Sequence, residues 1–255
     1  MASDDDLLAA ELAAGSGRLL LELRAGGQHD SPAALRAAGD RRSHEYLTAE
    51  LAARRPGDAV LSEEGADDSA RLAASRVWIV DPLDGTREFG EPGRADWAVH
   101  VALWWRGSLT AGAVALPAQD TIFSTGGPLP GRDTARPLGA PGTLRLLVSR
   151  SRPPEVAERL AAATGAELVP LGSAGAKAAE VIRGNADGYV HSGGQYEWDS
   201  AAPVAVAVAA GLHASRIDGS KLAYNQAHPF VPDILICRAE LAGMLLKAIS
   251  SLRGQ

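Results

Sequence analysis

The chain has 255 residues, enough for one large domain or two compact ones with sizeable cores. A hydrophobic share of 46% and a charged share of 22% describe an ordinary globular chain and argue against disorder. A net charge of −6 gives no pull towards nucleic acid or a membrane surface, and no apolar run nears the roughly 20 residues that span a bilayer. The acidic start Met1–Asp6 is unlike the basic head of a secretory signal, and Cys237 is the sole cysteine, so the expected setting is a reducing cytoplasm.

Ser3 followed by Asp6 is a capping-box start, and Leu8, Leu12, Leu19 and Leu23 recur at helical spacing, predicting a helix over 4–23. A second helix is expected over 41–55, opened by Asp40 and stopped by Pro56-Gly57. Strands are expected at 59–62 and, more deeply buried, at 76–80. Three more follow at 97–105, 109–116 and 121–124, the first two joined by a turn at Arg106-Gly107. Gly126–Gly142 carries Pro128, Pro130, Pro137 and Pro141 and little hydrophobic pattern, which marks it as the domain boundary. Beyond it strands (144–149, 168–171, 186–191, 213–217, 234–237) alternate with helices (153–165, 174–183, 200–210, 240–252). This predicts an α+β half over 1–141 and an α/β half over 142–255.

The densest chemical signal is Asp81-Pro82-Leu83-Asp84-Gly85-Thr86, directly after the buried strand. Strand ends are where α/β proteins expose functional loops, and two carboxylates on a Pro/Gly turn can converge on a hard cation. The backbone N–H groups of Gly85 and Thr86 can then face a phosphate oxygen. A plain turn of the same composition remains an open alternative. Glu63-Glu64 follows the preceding strand, and Asp199 and Asp40 stand at helix starts, where an N-cap role is the simpler reading of each. Haloacid-dehalogenase-type phosphatases share a strand ending in Asp-x-Asp-Gly-Thr. Here Pro82 occupies the nucleophile position two before Asp84, so that mechanism is excluded.

Taken together, Leu61-Ser-Glu-Glu-Gly65, Trp78-Ile-Val-Asp-Pro-Leu-Asp-Gly-Thr86 and Trp198-Asp-Ser-Ala-Ala-Pro203 resemble the inositol monophosphatase superfamily in order and spacing. Thr86-Arg-Glu-Phe89, Val148-Ser-Arg-Ser151 and Gly172-Ser-Ala-Gly-Ala-Lys177 are similar to its 3′(2′),5′-bisphosphate nucleotidase branch, in the actinobacterial CysQ form. The resemblance implies a layered αβαβα sandwich, a homodimer and a Mg²⁺-dependent, lithium-sensitive phosphatase acting on a small phosphorylated substrate. Glu63, Asp81 and the Leu83 carbonyl would hold one Mg²⁺, and Asp81, Asp84 and Asp199 a second, with Glu63 positioning a weaker third. Metal-activated water would attack phosphorus, with Thr86 orienting it and Asp40 or Glu63 drawing off its proton. Gly85 and Thr86 would bind the scissile phosphate, and Ser173, Lys177, His191 and Asp199 would line the substrate site.

The implied reaction is removal of the 3′-phosphate of 3′-phosphoadenosine 5′-phosphate to give AMP, as part of sulfate assimilation. Inositol 1-phosphate and fructose 1,6-bisphosphate are the alternative substrates, and a non-catalytic metal or nucleotide sensor is the alternative of another class. Two departures from the family pattern stand out. Leu35–Asp40 replaces a Pro-Val-Thr lead into the second helix, and His191 stands where relatives carry a phosphate-reading Arg. A histidine binds phosphate well only when protonated. Trp97, Trp104 and Trp105 are expected in the core or at an interface, and the remaining histidines, His100 included, show no metal-ligand spacing.

Overall fold

The computed structural model describes residues 2–27, 29–128 and 143–253. Helix α1 (Asp4–Ala25) begins with the expected capping box: Ser3 Oγ accepts the Asp6 N–H at 3.1 Å and Asp6 Oδ2 accepts the Ser3 N–H at 2.8 Å. Helix α2 (Pro32–Arg54) starts well before the expected residue 41. Ser31 caps it through Ala34 N–H at 3.2 Å and Pro32 fits its first turn, where no N–H is needed. Asp40 therefore sits inside this helix and does not open it.

Five strands form the first sheet in the order β1 (Ala59–Ser62), β2 (Arg76–Asp84), β3 (Ala98–Trp105), β4 (Ser108–Leu116) and β5 (Thr121–Ser124). β1 runs parallel to β2 and the remaining pairings are antiparallel. A short helix α3 (Thr86–Phe89) follows β2. The second sheet contains β6 (Arg145–Ser149), β7 (Glu167–Leu171), β8 (Gly188–Tyr196), β9 (His213–Ser215) and β10 (Phe230–Cys237), ordered β7-β6-β8-β10-β9. β6 is parallel to β7 and β8, whereas β10 is antiparallel to β8 and β9. Residues 129–142, most of the expected boundary, lie outside the described residues.

The alternation of β2 explains its near-continuous apolar run. Trp78 and Val80 face α1 and α2, while Val77 and Ile79 face the opposite side. There they meet α5 (Ala174–Ile182) and α6 (Glu197–Ala209), whose inward residues are mostly alanine and valine. Small side chains let these two helices lie close between the sheets. Helices α4 (Glu155–Thr164) and α7 (Ala242–Arg253) cover the far face of the second sheet through Leu160, Leu245 and Ile249. The layers thus run helix, sheet, helix, sheet, helix, as expected. Among the described residues no helix is long and apolar enough to cross a membrane.

Candidate active site

The end of β2 is shaped by Pro82, which has no N–H for the ladder. Pairing with β3 slips between Asp81↔His100 and Asp84↔Ala98, and Leu83 N–H donates instead to Asp81 Oδ1 at 3.0 Å. Gly85 then takes φ 83°, and a Cβ there would stand 3.1 Å from the Asp96 carbonyl oxygen. Only glycine makes this turn into α3 without strain. Asp199 arrives from the other side, in the first turn of α6, where its Oδ2 accepts the Tyr196 N–H at 2.6 Å. The helix starts at Glu197, before the expected Ser200, so Asp199 lies within it and is not the N-cap.

Asp81, Asp84 and Asp199 each offer a carboxylate oxygen, and these oxygens lie within 4.8 Å of one another. Asp81 and Asp84 are buried and Asp199 is half-buried. Burial, followed by the charges of Glu63, Asp84 and Asp199, pushes the Asp81 carboxyl well above its ordinary value. Asp199 rises to about 6, through burial and then Asp84. Glu63, exposed to solvent on the cleft wall outside this triad, rises to about 8 through the desolvation of the cleft around it and then Asp199 and Asp40. Asp40 rises to about 7, through burial and then Glu64. Oxygen donors crowded until most of them bind protons more tightly than ordinary carboxyls fit a hard divalent cation, whose charge would replace those protons.

Asp84 differs. Burial alone would raise it, but the His100 imidazole, the Lys177 ammonium and the Ser173 hydroxyl bring it below its ordinary value. Gly175 N–H donates to its Oδ2 at 2.8 Å, Ser173 Oγ donates to the same atom, and His100 Nε2 lies 3.1 Å away. Among the described contacts Oδ1 is left without a protein donor, and so is the oxygen available to a cation.

Thr86 Oγ1 donates to the Leu83 carbonyl at 2.9 Å and lies 3.4 Å from Asp40 Oδ1. A cavity of about 550 Å³ opens beside this cluster, lined by Glu63, Asp84, Gly85, Thr86 and Asp199 on one wall. Ser173, Lys177 and His191 line another part of it. Neither Lys177 nor His191 offers a free donor. Lys177 Nζ is buried and donates to the carbonyl of Ser173 at 2.7 Å and those of Gly172 and Leu171 at 3.4 Å. His191 Nε2 donates to the Gly194 carbonyl at 3.0 Å, which leaves Nδ1 as an acceptor, and burial lowers its pKa.

His100, to which the sequence assigned no chemistry, is fully buried against the cluster. Its signal was register: it stands opposite Asp81 on the neighbouring strand.

The family model described as the inositol monophosphatase family matches residues 7–253. The chain belongs to the inositol monophosphatase family. Within the family it is 56% identical, over 92% of this chain and 89% of the relative, to the "3′-phosphoadenosine 5′-phosphate phosphatase" of Mycobacterium tuberculosis. It is 51% identical to the protein of the same name from Mycobacterium leprae, over 96% and 93% of the two chains. Among solved structures, CysQ from Bacteroides thetaiotaomicron, described as a bacterial member of the family, superposes with a TM-score of 0.74 at 26% identity, over 92% of this chain and 97% of that one.

Proposed function

We propose that the protein is a Mg²⁺-dependent phosphatase that removes the 3′-phosphate of 3′-phosphoadenosine 5′-phosphate to give AMP. The observation that carries the chemistry is the convergence of Asp81, Asp84 and Asp199 at the head of a cavity large enough for a nucleotide. The mycobacterial relatives' names support the substrate. Asp81, Asp84 and Asp199 would hold two Mg²⁺ ions together with Glu63 and the Leu83 carbonyl, and Glu63 would position a third. When bound, the ions would supply Lewis-acid stabilisation of the phosphoryl oxygens and of the departing sugar oxygen.

The chain's own groups handle the proton and the phosphate. Thr86 Oγ1 is placed to accept a hydrogen bond from an attacking water while its own proton points towards Leu83 O or Asp40 Oδ1. Asp40, raised to about 7, is suited to hold a proton at Oδ1 near neutral pH, and Glu63, raised to about 8, is a second acceptor. Gly85 and Thr86 N–H groups would bind the scissile phosphate, and Ser173, Lys177 and His191 would border the nucleotide. We extend the proposal to a cytoplasmic homodimer, with Trp105, 45% exposed at the end of β3, as an interface residue.

The test is phosphate release from 3′-phosphoadenosine 5′-phosphate by the purified protein, compared with inositol 1-phosphate and fructose 1,6-bisphosphate, with Mg²⁺, with chelator and with Li⁺. Release from the nucleotide that needs Mg²⁺ and is blocked by Li⁺ is expected. A strong preference for inositol 1-phosphate would replace the substrate, and full activity in Asp84→Asn would refute the metal assignment.

A further inference from the structure

The cavity beside the carboxylates has an aromatic mouth that takes no part in the chemistry above. Tyr196 is 47% exposed and Phe230 is 53% exposed, and both line the cavity. The chain contains only 3 phenylalanines, and the other two, Phe89 and Phe123, are fully buried. Leaving such rings open to water forgoes the favourable burial they would gain elsewhere.

These rings are held in fixed positions. Tyr196 stacks on Trp198 with centroids 4.8 Å apart and planes 11° from parallel. Phe230 stands edge-on to Tyr196 at 6.1 Å and 81°, and the two residues are paired in register between β8 and β10. A Cβ on Gly194 would meet the Phe230 ring at 2.4 Å, so the bare backbone there is what makes room for it. The Tyr196 N–H on Asp199 Oδ2 ties the aromatic group directly to the acidic cluster. A ligand that seats a phosphate at the cluster therefore meets a flat aromatic face in the same cavity.

We infer that Tyr196 and Phe230 form a base-stacking platform that selects a nucleotide over phosphate esters that carry no base. The inference rests on the nucleotidase reading and deepens it. A purine offers a flat π-face that covers exposed rings, and stacking is indifferent to hydrogen-bond pattern. It also supplies selectivity in a cavity where Lys177 and His191 have committed their donors to backbone carbonyls.

The experiment compares binding of AMP with that of ribose 5-phosphate, which lacks the base, by calorimetry in the wild type, Tyr196→Leu, Tyr196→Phe and Phe230→Leu. The preference for AMP should fall about tenfold in Tyr196→Leu and survive in Tyr196→Phe, with a parallel rise in KM for 3′-phosphoadenosine 5′-phosphate. An equal preference in the wild type and both leucine variants would overturn the platform. So would a shift from dimer to monomer in those variants, by sedimentation, with the preference intact, since the rings would then be an interface. If the wild type releases phosphate from 3′-phosphoadenosine 5′-phosphate and the preference still does not move, only the platform falls. If the wild type releases none, the nucleotidase reading falls and takes the platform with it.

Discussion

Replacing His100 should weaken the proposed metal site without replacing any of its proposed ligands. The ring is fully buried, with Nδ1 3.1 Å from the Trp198 carbonyl and Nε2 3.1 Å from Asp84 Oδ2. Nδ1 is also 3.9 Å from Asp81 Oδ2. One imidazole therefore bridges the end of β2 and the first turn of α6, two elements that carry the acidic cluster, through the Nδ1–H bond to Trp198 and through close approach, without a hydrogen bond, to Asp84. Loss of such an outer partner generally costs 10- to 100-fold in metal affinity, about 1.4–2.8 kcal/mol. His100→Leu should fall in the upper part of that range, because both elements lose their brace at once. Gly175 N–H and Ser173 remain on Asp84, while nothing replaces the hold on the Trp198 carbonyl. Calorimetric titration of the metal-free protein with Mg²⁺ measures the effect, alongside the Mg²⁺ concentration for half-maximal activity. An affinity within twofold of the wild type would show that His100 is only filling space.

Other outcomes follow from the same geometry. Because Asp81, Glu63, Asp40 and Asp199 are raised, to about 8, 7 and 6 for the last three, the metal-free cluster holds protons at pH 7. Mg²⁺ binding should release them, so affinity should climb with pH and level off above about 8, and binding heats in two buffers of different protonation enthalpy would count the protons. Asp96 behaves oppositely: burial raises it, but Arg94 and the Gly172 N–H, at 2.9 Å, outweigh burial and lower its pKa. Its contribution to stability is complete above the unfolded value of about 3.9 and is lost as pH falls through the lower folded one. Urea unfolding should thus separate Asp96→Asn from the wild type at pH 7 and bring the two closer as pH falls below the unfolded value of about 3.9. Arg71, 2% exposed, donates to Asn225 Oδ1 at 2.7 Å and the Gln226 carbonyl at 2.9 Å. Arg71→Ala strands both acceptors and should cost about 3 kcal/mol, read as a fall of roughly 6–12 °C in Tm; a fall under 2 °C would mean water replaces the guanidinium.

Most of the layered fold was legible because its signals are local. Strand period, Pro/Gly stops and the Ser3–Asp6 box act within a few residues, and β1, β5 and α1 fall within two residues of their expected bounds. The errors came where two local signals competed. Asp40 and Asp199 looked like caps, but Ser31-Pro32 and the Tyr196 N–H set the true helix starts. The triad of aspartates was foreseen from motif order, since two of them share one turn. What could not be seen were partners fixed by register and by packing between the sheets. His100 becomes legible only once β3 is laid beside β2, and the saturation of Lys177 only once the turn before α5 is folded back on it.

That distinction reaches the electrostatics of the site. Asp81 and Asp84 share one strand end, yet their carboxyls move in opposite directions, one well above its ordinary value and one below it. Burial is the largest cause for both, so burial cannot explain the difference. The neighbours do. Asp81 has a single backbone donor, Leu83 N–H, and is faced by Glu63, Asp84 and Asp199. Asp84 has other company: Ser173 and Gly175 at the head of α5 donate to it, the Lys177 ammonium lies one turn on, and the His100 ring stands 3.1 Å away on β3. Ser173 is held at φ 52° and ψ 133°, a conformation non-glycine residues seldom adopt, while its hydroxyl bonds Asp84 and its Oγ accepts Ala176 N–H at 3.0 Å. Partners from both halves of the chain thus hold the Asp84 carboxyl below its ordinary value before any cation arrives. The Asp81 carboxyl, left among like charges, is the one whose ionised form a bound cation would favour most.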